Sequence, residues 1–366
     1  MSRPRSRILA FASVAAFVIM LLGAAPSAAG ESAGNVYTLT NAASANAVLV
    51  FTRASTGELA PAGSFATGGR GTGTGLGSQG AVTVSRDGRW LFAVNAGSND
   101  ISVLRVSGHE LRLTDRIWSG GTQPISVTTY GGSVYAVNAG GTPNIAGFTV
   151  SPDGTFTPIA GSIHALLGSG PAQIQFSRSG DVLVVSDKAS STLETFTVSA
   201  GVASAPTSHA SSGATPFGFD FGLRDQVFVS EAAGAPGGLS AASSYRLDAD
   251  GNLMTVTASA STTQRAACWL VVTENGRYAF TANAASDSIS SFAIDEGGAL
   301  TLVEAAAAHT TAAHTTDLAL SRNSAYLYAS DGGTQSISAY RVGVDGSLTR
   351  VGGTSVPAGI AGLAAR

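Results

Sequence analysis

The chain is poor in the residues that crosslink a protein or charge its surface. Cys268 is the only cysteine, so no internal disulfide can form. Only 12% of the 366 residues are charged, where about a quarter is usual, and Lys188 is the only lysine. A formal net charge of −3 without a basic cluster argues against nucleic acid as a partner. Stability must therefore come from the packing of the chain itself.

Long apolar runs are also absent, apart from one near the N-terminus. Residues 8–23 are apolar, but the run is shorter than the roughly 20 residues that a spanning helix needs. Small residues follow it, and three arginines precede it: Arg3, Arg5 and Arg7. This pattern predicts a signal peptide over 1–29 and a mature chain over 30–366. We expect a secreted protein, or one at the cell-envelope exterior, with no membrane attachment after cleavage. A retained anchor is the alternative.

A short apolar strand that ends in an amide or a carboxylate occurs seven times. The copies end at Asn41, Asn95, Asn138, Asp187, Glu231, Asn283 and Asp331. Their mean spacing is about 48 residues, which is typical of the blades of a β-propeller. Seven copies therefore predict seven blades.

Each repeat can be divided into four strands. In the clearest copy these are residues 81–85, 90–95, 101–106 and 111–117, separated by turns rich in Gly, Asp and Asn. No helical periodicity interrupts the array after residue 35. We predict an all-β fold, a seven-bladed β-propeller with four-stranded antiparallel blades.

The two ends of the array are complementary. The first repeat has no inner strand before Val36, whereas residues 357–365 form a strand that nothing follows. Pairing these segments would close the ring and leave few unpaired edges. We expect one ring without a linker, and a monomer.

The repeats, their strand-end residues and the stretch SRDGRWLFAVNAGSNDISVLRV (residues 85–106) resemble the lactonase-type seven-bladed propellers. That family includes bacterial 6-phosphogluconolactonase and the fungal carboxymuconate cyclase. The resemblance covers essentially everything after residue 35. It implies the propeller fold and hydrolysis of a lactone.

The resemblance also locates the positions that are catalytic in family members. Gly170 and Ala172 stand where the family has a His-x-His motif, and Thr192 stands where it has an arginine. Asp187 is retained. Glu231 matches the glutamate of the family's Val-Asn-Glu and is the candidate catalytic carboxylate, a general base for the attack of water.

The start of an inner strand and the end of the second strand lie on the same face of a propeller blade. We therefore expect a ring of binding residues around the channel mouth, suited to a small polar ligand. It comprises Asn95, Asn138, Asp187, Asn283 and Asp331 with Gln173, Phe217, Cys268 and Trp269. Lys188 and Arg265 would add positive charge for an anionic group. The alternative is that the amides and carboxylates cap loops.

No pattern of metal ligands is convincing. The five histidines lie mainly in turns, and His309 and His314 are separated by five positions, which does not fit the His-Glu-x-x-His spacing. We predict no metal and no cofactor. Two functions stay open: an exported lactone-hydrolysing enzyme, or a non-catalytic propeller that binds a small molecule, a glycan or a protein.

Overall fold

The structure, a computed structural model, describes Met1 and residues 33–310 and 314–366. The signal peptide predicted over 1–29 lies outside the described residues, apart from Met1. Among the residues that are described, no helix is long and apolar enough to cross a membrane. Only two single-turn 3-10 segments occur in this part of the chain, Leu223–Asp225 and Pro236–Gly238.

Seven antiparallel sheets form the ring, and each is one blade. Blade 1 contains β1 (Gly34–Leu39), β2 (Ala47–Arg53), β3 (Leu59–Ala66) and β30 (Ala361–Ala365). Blade 2 contains β4 (Val82–Val84), β5 (Trp90–Asn95), β6 (Asp100–Ser107) and β7 (Glu110–Trp118). Blade 3 contains β8 (Thr122–Tyr130), β9 (Ser133–Gly140), β10 (Asn144–Val150), β11 (Phe156–Pro158) and β12 (His164–Ala165). Blade 4 contains β13 (Pro171–Phe176), β14 (Val182–Asp187), β15 (Thr192–Ser199), β16 (Val202–Ala203) and β17 (Thr207–Ala210).

The remaining three blades each have four strands. Blade 5 contains β18 (Ala214–Phe221), β19 (Gln226–Ala235), β20 (Leu239–Leu247) and β21 (Leu253–Ser261). Blade 6 contains β22 (Ala267–Val272), β23 (Tyr278–Asn283), β24 (Ser288–Ile294) and β25 (Leu300–His309). Blade 7 contains β26 (Thr315–Leu320), β27 (Tyr326–Asp331), β28 (Ser336–Val342) and β29 (Leu348–Ser355). In blades 3 and 4 the outermost strand is split into two short pieces that pair with the same neighbour.

The second strand of each blade carries most of the core. Strands β5 and β14 are buried along their whole length, which explains their nearly continuous apolar sequence. The outermost strand β3 has no fully buried residue. Neighbouring blades pack through large side chains such as Phe92 of blade 2 and Phe156 of blade 3, whose ring centroids are 6.1 Å apart. Burial therefore falls from the inner half of each blade to the rim.

The ring closes as the sequence predicts. Strand β30 pairs with β1, with Val36 opposite Ala365 and Leu39 opposite Ala361. The Thr38 hydroxyl also donates to the carbonyl of Gly362 at 2.6 Å. Strand β30 also lies beside the inner strands β4 and β26 of the two neighbouring blades, so it fills the inner-strand position of blade 1.

The two faces of the ring differ. One face, which we call the hairpin face, carries the turns between first and second strands, with Arg86, Arg178, Glu274 and Arg322. In the blade 2 turn, Gly88 has φ +69, and a Cβ there would lie 1.7 Å from the Arg366 guanidinium. The positive φ therefore favours glycine at this turn. The opposite face, the loop face, carries the second-strand ends such as Asn95, Asp187 and Glu231.

Candidate functional site

The second-strand ends predicted to line a channel mouth are buried inside their blades. The Asn95 amide donates to Asp100 and Ser102, and the Asn283 amide donates to Ser288 and Ser290. Asn138 and Asp331 also bond to side chains of their own blades. All four are at most 1% exposed. These bonds hold neighbouring strands together, and a ligand-binding role for these residues stays a prediction.

Glu231 is also enclosed within its blade. One carboxylate oxygen accepts from the Ser243 hydroxyl at 2.6 Å and the Gly213 N–H at 2.7 Å, and the other accepts from the Ser259 hydroxyl at 2.8 Å. The residue is fully buried. A general base needs a water molecule beside it, whereas here the oxygens bond to blade 5 itself. The geometry gives Glu231 a structural task, and its catalytic role stays a prediction.

Asp187 faces a second acid. Its carboxyl group interacts electrostatically with that of Glu194 on the next strand, and both residues are fully buried. Burial, together with the Glu194 carboxylate, raises the pKa of Asp187 to about 8. Burial also raises the pKa of Glu194. Two buried carboxyl groups that interact in this way cannot both be ionised without a large electrostatic cost. The pair therefore holds a proton near neutral pH.

Four of the predicted residues meet on the loop face. The Lys188 ammonium lies 4.9 Å from the centroid of the Phe217 ring, and Phe217 packs against Trp269 with ring centroids 5.3 Å apart. Burial lowers the pKa of Lys188, and the nearby Cys268 counteracts this shift. Burial raises the pKa of Cys268 to about 11, so its thiol stays protonated at neutral pH. Arg265 is exposed on the same face.

Residues 76–80, which we call the crossing segment, close the channel on the loop face. The Gln79 side chain bonds both the N–H and the carbonyl of Leu270, on the far side of the ring. The Trp269 indole donates to the carbonyl of Ser78 at 3.0 Å, and Lys188 donates to that of Gly77 at 2.5 Å. The predicted cluster therefore holds this segment in place, and the glycine-rich sequence before it gave no sign of these contacts.

Behind the crossing segment lies an axial cavity of about 1070 Å³ that extends towards the hairpin face. Polar side chains from four inner strands line it, namely Thr83, Thr128, Gln173, Gln175 and Asp220. Gln173 is the one predicted binding residue on this cavity. Its amide bonds the backbone of Phe219 and the side chain of Gln175.

Asp220 is the carboxylate inside the cavity. Its oxygens accept from the Phe221 N–H at 2.8 Å, the Val272 N–H at 2.9 Å and the Gln175 amide at 3.1 Å. Burial raises the pKa of Asp220, and these bonds oppose the shift. Asp220 is not among the site residues predicted from the sequence. The signal was present, because an acid within the apolar inner strand FGFDF is unusual.

Charged side chains surround the opening of the cavity on the hairpin face. Arg178 reaches Glu274 at 3.6 Å and donates to the carbonyl of Phe221. A side recess of about 350 Å³ adjoins the opening and is lined in part by Arg86, Arg322 and Arg366. Within residues 33–310 and 314–366 no group of three or more His, Cys, Asp or Glu side chains is arranged to hold a metal ion.

The positions matching the family's catalytic motif are packed against other residues of the loop face. Gly170 has φ +68, and a Cβ there would lie 2.9 Å from that of Ala189. Ala172 is fully buried, and its carbonyl accepts from the N–H of Gln79. The Thr192 hydroxyl bonds Ser190 at 2.8 Å. Histidines at the first two positions would require this part of the loop face to rearrange.

Solved structures with the same fold are numerous. A candidate 6-phosphogluconolactonase from Bacteroides fragilis is 18% identical, with a TM-score of 0.75 over 91% of this chain and 98% of that one. A candidate 6-phosphogluconolactonase from Bacteroides uniformis is 20% identical, with a TM-score of 0.72 over 88% and 97%. The periplasmic gluconolactonase PpgL from Pseudomonas aeruginosa is 15% identical, with a TM-score of 0.70 over 91% and 98%. At these identities the likeness concerns the fold alone.

Comparison at the level of sequence gives the family. No curated protein matches the chain. The model of the lactonase family, described as a seven-bladed β-propeller, matches residues 34–139 and 223–359, which is more than half of the chain. This agrees with the seven sheets of the ring and with the resemblance found in the repeats. The chain belongs to the lactonase family of seven-bladed β-propellers.

Proposed function

We propose that this protein binds a small cyclic ester in the axial cavity and hydrolyses it there, with Asp220 as the general base. The observation that carries the proposal is the Asp220 carboxylate, which lies within a polar cavity large enough for a sugar-sized ligand. Membership of the lactonase family supports the choice of reaction. The structure of the loop face supports entry from the hairpin face, because the crossing segment obstructs the other end.

The reaction follows from the position of this carboxylate. Asp220 accepts a proton from water while the water oxygen attacks the lactone carbonyl. The ring C–O bond then breaks, and the alkoxide that leaves takes up the proton, so the product is a hydroxy acid. The N–H groups of Phe221 and Val272 fix the carboxylate. Its raised pKa makes it a stronger base than a solvated aspartate.

The test is lactone hydrolysis by the purified mature protein, measured above the spontaneous rate with neutral sugar lactones such as glucono-δ-lactone. Asp220→Asn should lower the rate by roughly 10² or more, because it removes the base and keeps the shape. Asp181→Asn is the control, since Asp181 is exposed outside the cavity. An unchanged rate in Asp220→Asn would refute the assignment.

A second candidate function is binding without catalysis. It is favoured by Gly170, Ala172 and Thr192, which replace the family's two histidines and its arginine. On this view the cavity holds a small molecule, and Asp220 accepts a hydrogen bond from it. Saturable binding of a lactone or sugar without turnover would support this candidate. A glycan or protein partner at the ring's surface would instead leave the cavity free.

We also propose that the protein is exported and acts as a monomer outside the cytoplasm. Export is supported by the first 29 positions, which contain arginines, then an apolar run and then small residues. The complete ring supports the monomer, because β30 and β1 pair within one chain and leave no inner strand for another subunit.

A further inference from the structure

Three blades place an arginine at the same step of the hairpin face. Blades 2, 4 and 7 begin this turn with Ser-Arg, which puts Arg86, Arg178 and Arg322 at equivalent positions. In each turn an N–H three residues after the serine bonds back to the serine carbonyl, as Gly88 does to Ser85. The backbone geometry of the three turns is therefore shared. Arg86 and Arg178 line the axial cavity, and Arg86 and Arg322 line the side recess beside it.

These arginines differ in whether they have a partner. Arg178 is paired with Glu274 at 3.6 Å. The side chains of Arg86 and Arg322 make no hydrogen bond or ion pair with any residue that the structure describes. Both line the side recess together with Arg366, whose guanidinium donates to the carbonyls of Gly88 and Asp87.

The charges around the recess differ in exposure. Asp220 lines both the axial cavity and the side recess and is half-buried, whereas Arg86 and Arg322 line the recess and are exposed, as is the already paired Glu274. Guanidinium groups bind carboxylates in a planar, two-pronged geometry. An anion would therefore be repelled by ionised Asp220 and attracted to the opening.

We propose that Arg86 and Arg322 form an anion site at the opening that binds the carboxylate of a hydroxy acid. The identity of the acid rests on the proposed function, because ring opening of a lactone produces a carboxylate beside Asp220. The site draws this product away from the base and towards solvent. No bond is made or broken in this step.

The experiment measures D-gluconate binding by isothermal titration calorimetry at low ionic strength. It compares the mature protein with the double variant Arg86→Gln/Arg322→Gln. Charge-assisted hydrogen bonds predict about a tenfold or greater loss of affinity in the double variant. Arg224→Gln is the matched control, because Arg224 lies in the blade 5 turn and donates to the backbone carbonyl of Glu296. This variant should bind gluconate like the wild type. Neutral gluconamide should be insensitive to all three substitutions.

Gluconate binding by the Asp220→Asn variant provides a second, independent test. Removing the negative charge on the cavity wall should strengthen gluconate binding, and that gain should disappear when Arg86 and Arg322 are also replaced. Absence of gluconate binding to the wild type overturns the inference, as does equal affinity in the double variant. Arginine-dependent binding without any lactone hydrolysis would uphold the anion site and reject the proposed function. The opposite result is hydrolysis that depends on Asp220 together with gluconate binding that does not depend on the arginines. It would uphold the proposed function and reject the anion site.

Discussion

The buried carboxyl groups of Asp187 and Glu194 interact across β14 and β15, at a step where blades 2, 6 and 7 pair an amide or acid with a serine. In blades 2, 6 and 7 the residue seven positions after the strand end is Ser102, Ser290 or Ser338, and it bonds that strand end. At the same position blade 4 has an acid, Glu194. At this step blade 4 therefore has a second carboxyl group where blades 2, 6 and 7 have a hydroxyl.

The acid pair should make stability depend on pH. Unfolded Asp187 loses its proton near its ordinary pKa of 3.8, whereas the folded residue keeps it to about 8. The unfolded state thus binds fewer protons between these values, and stability falls as pH rises through this window. Glu194→Ser should raise the free energy of unfolding at pH 8 by about 2 kcal/mol and flatten the profile. Urea unfolding from pH 5 to 9 is the measurement, and identical profiles for both proteins would contradict it.

The crossing segment should depend on Gln79. Gln79→Ala leaves the buried N–H and carbonyl of Leu270 without partners, which should cost about 2 kcal/mol or more. It should also expose Trp269 to quenching by acrylamide, measured in a Trp118→Phe background because Trp118 is 61% exposed. Gln123→Ala, an exposed glutamine on the same face, is the control and should change neither property.

Ring closure should depend on the last strand. Leu363 of β30 is only 6% exposed, so Leu363→Ala should destabilise the fold by about 2–5 kcal/mol. Val344, at 91% exposed, provides the comparison, and Val344→Ala should stay within about 0.5 kcal/mol of the wild type. Equal effects in thermal unfolding would mean that the closing strand contributes little.

Glu231 can be tested for both of its possible tasks. Glu231→Gln replaces an acceptor oxygen with a donor that faces other donors, so we expect a loss of about 1–3 kcal/mol. If the sequence-based hypothesis is correct, any lactone hydrolysis also falls by roughly 10². Ser259→Ala, which removes one partner only, separates the two effects. If Glu231→Gln hydrolyses a lactone at the wild-type rate at a temperature well below its melting temperature, the role of Glu231 is structural alone.

Export should leave a shortened chain outside the cytoplasm. The predicted signal peptide implies a mature N-terminus near Gly30. Intact-mass measurement of the protein from the culture medium or cell envelope checks this. A species that is retained with the cells and still carries Met1 would support the uncleaved anchor instead.

The predicted site was only partly assembled by the fold. Lys188, Phe217, Cys268 and Trp269 meet on the loop face, as expected from strand ends that share one face. The ring of amides and acids was expected to line the same opening. Its members are instead buried and bond to neighbouring groups, which for Asn95 include Asn46 of blade 1, because an apolar strand carries its last polar residue into the core, where that residue must find a partner.

The sequence alone determined the number of blades, the strand order and the closure by residues 357–365, because these depend on local periodicity that repeats seven times. The tertiary structure decided which end of the channel is open and which carboxylate lies in the cavity. The bond between Gln79 and Leu270 joins residues 191 positions apart. Nothing in the local pattern encodes such a contact, since only closing the ring brings the two sides of the channel within reach of one side chain.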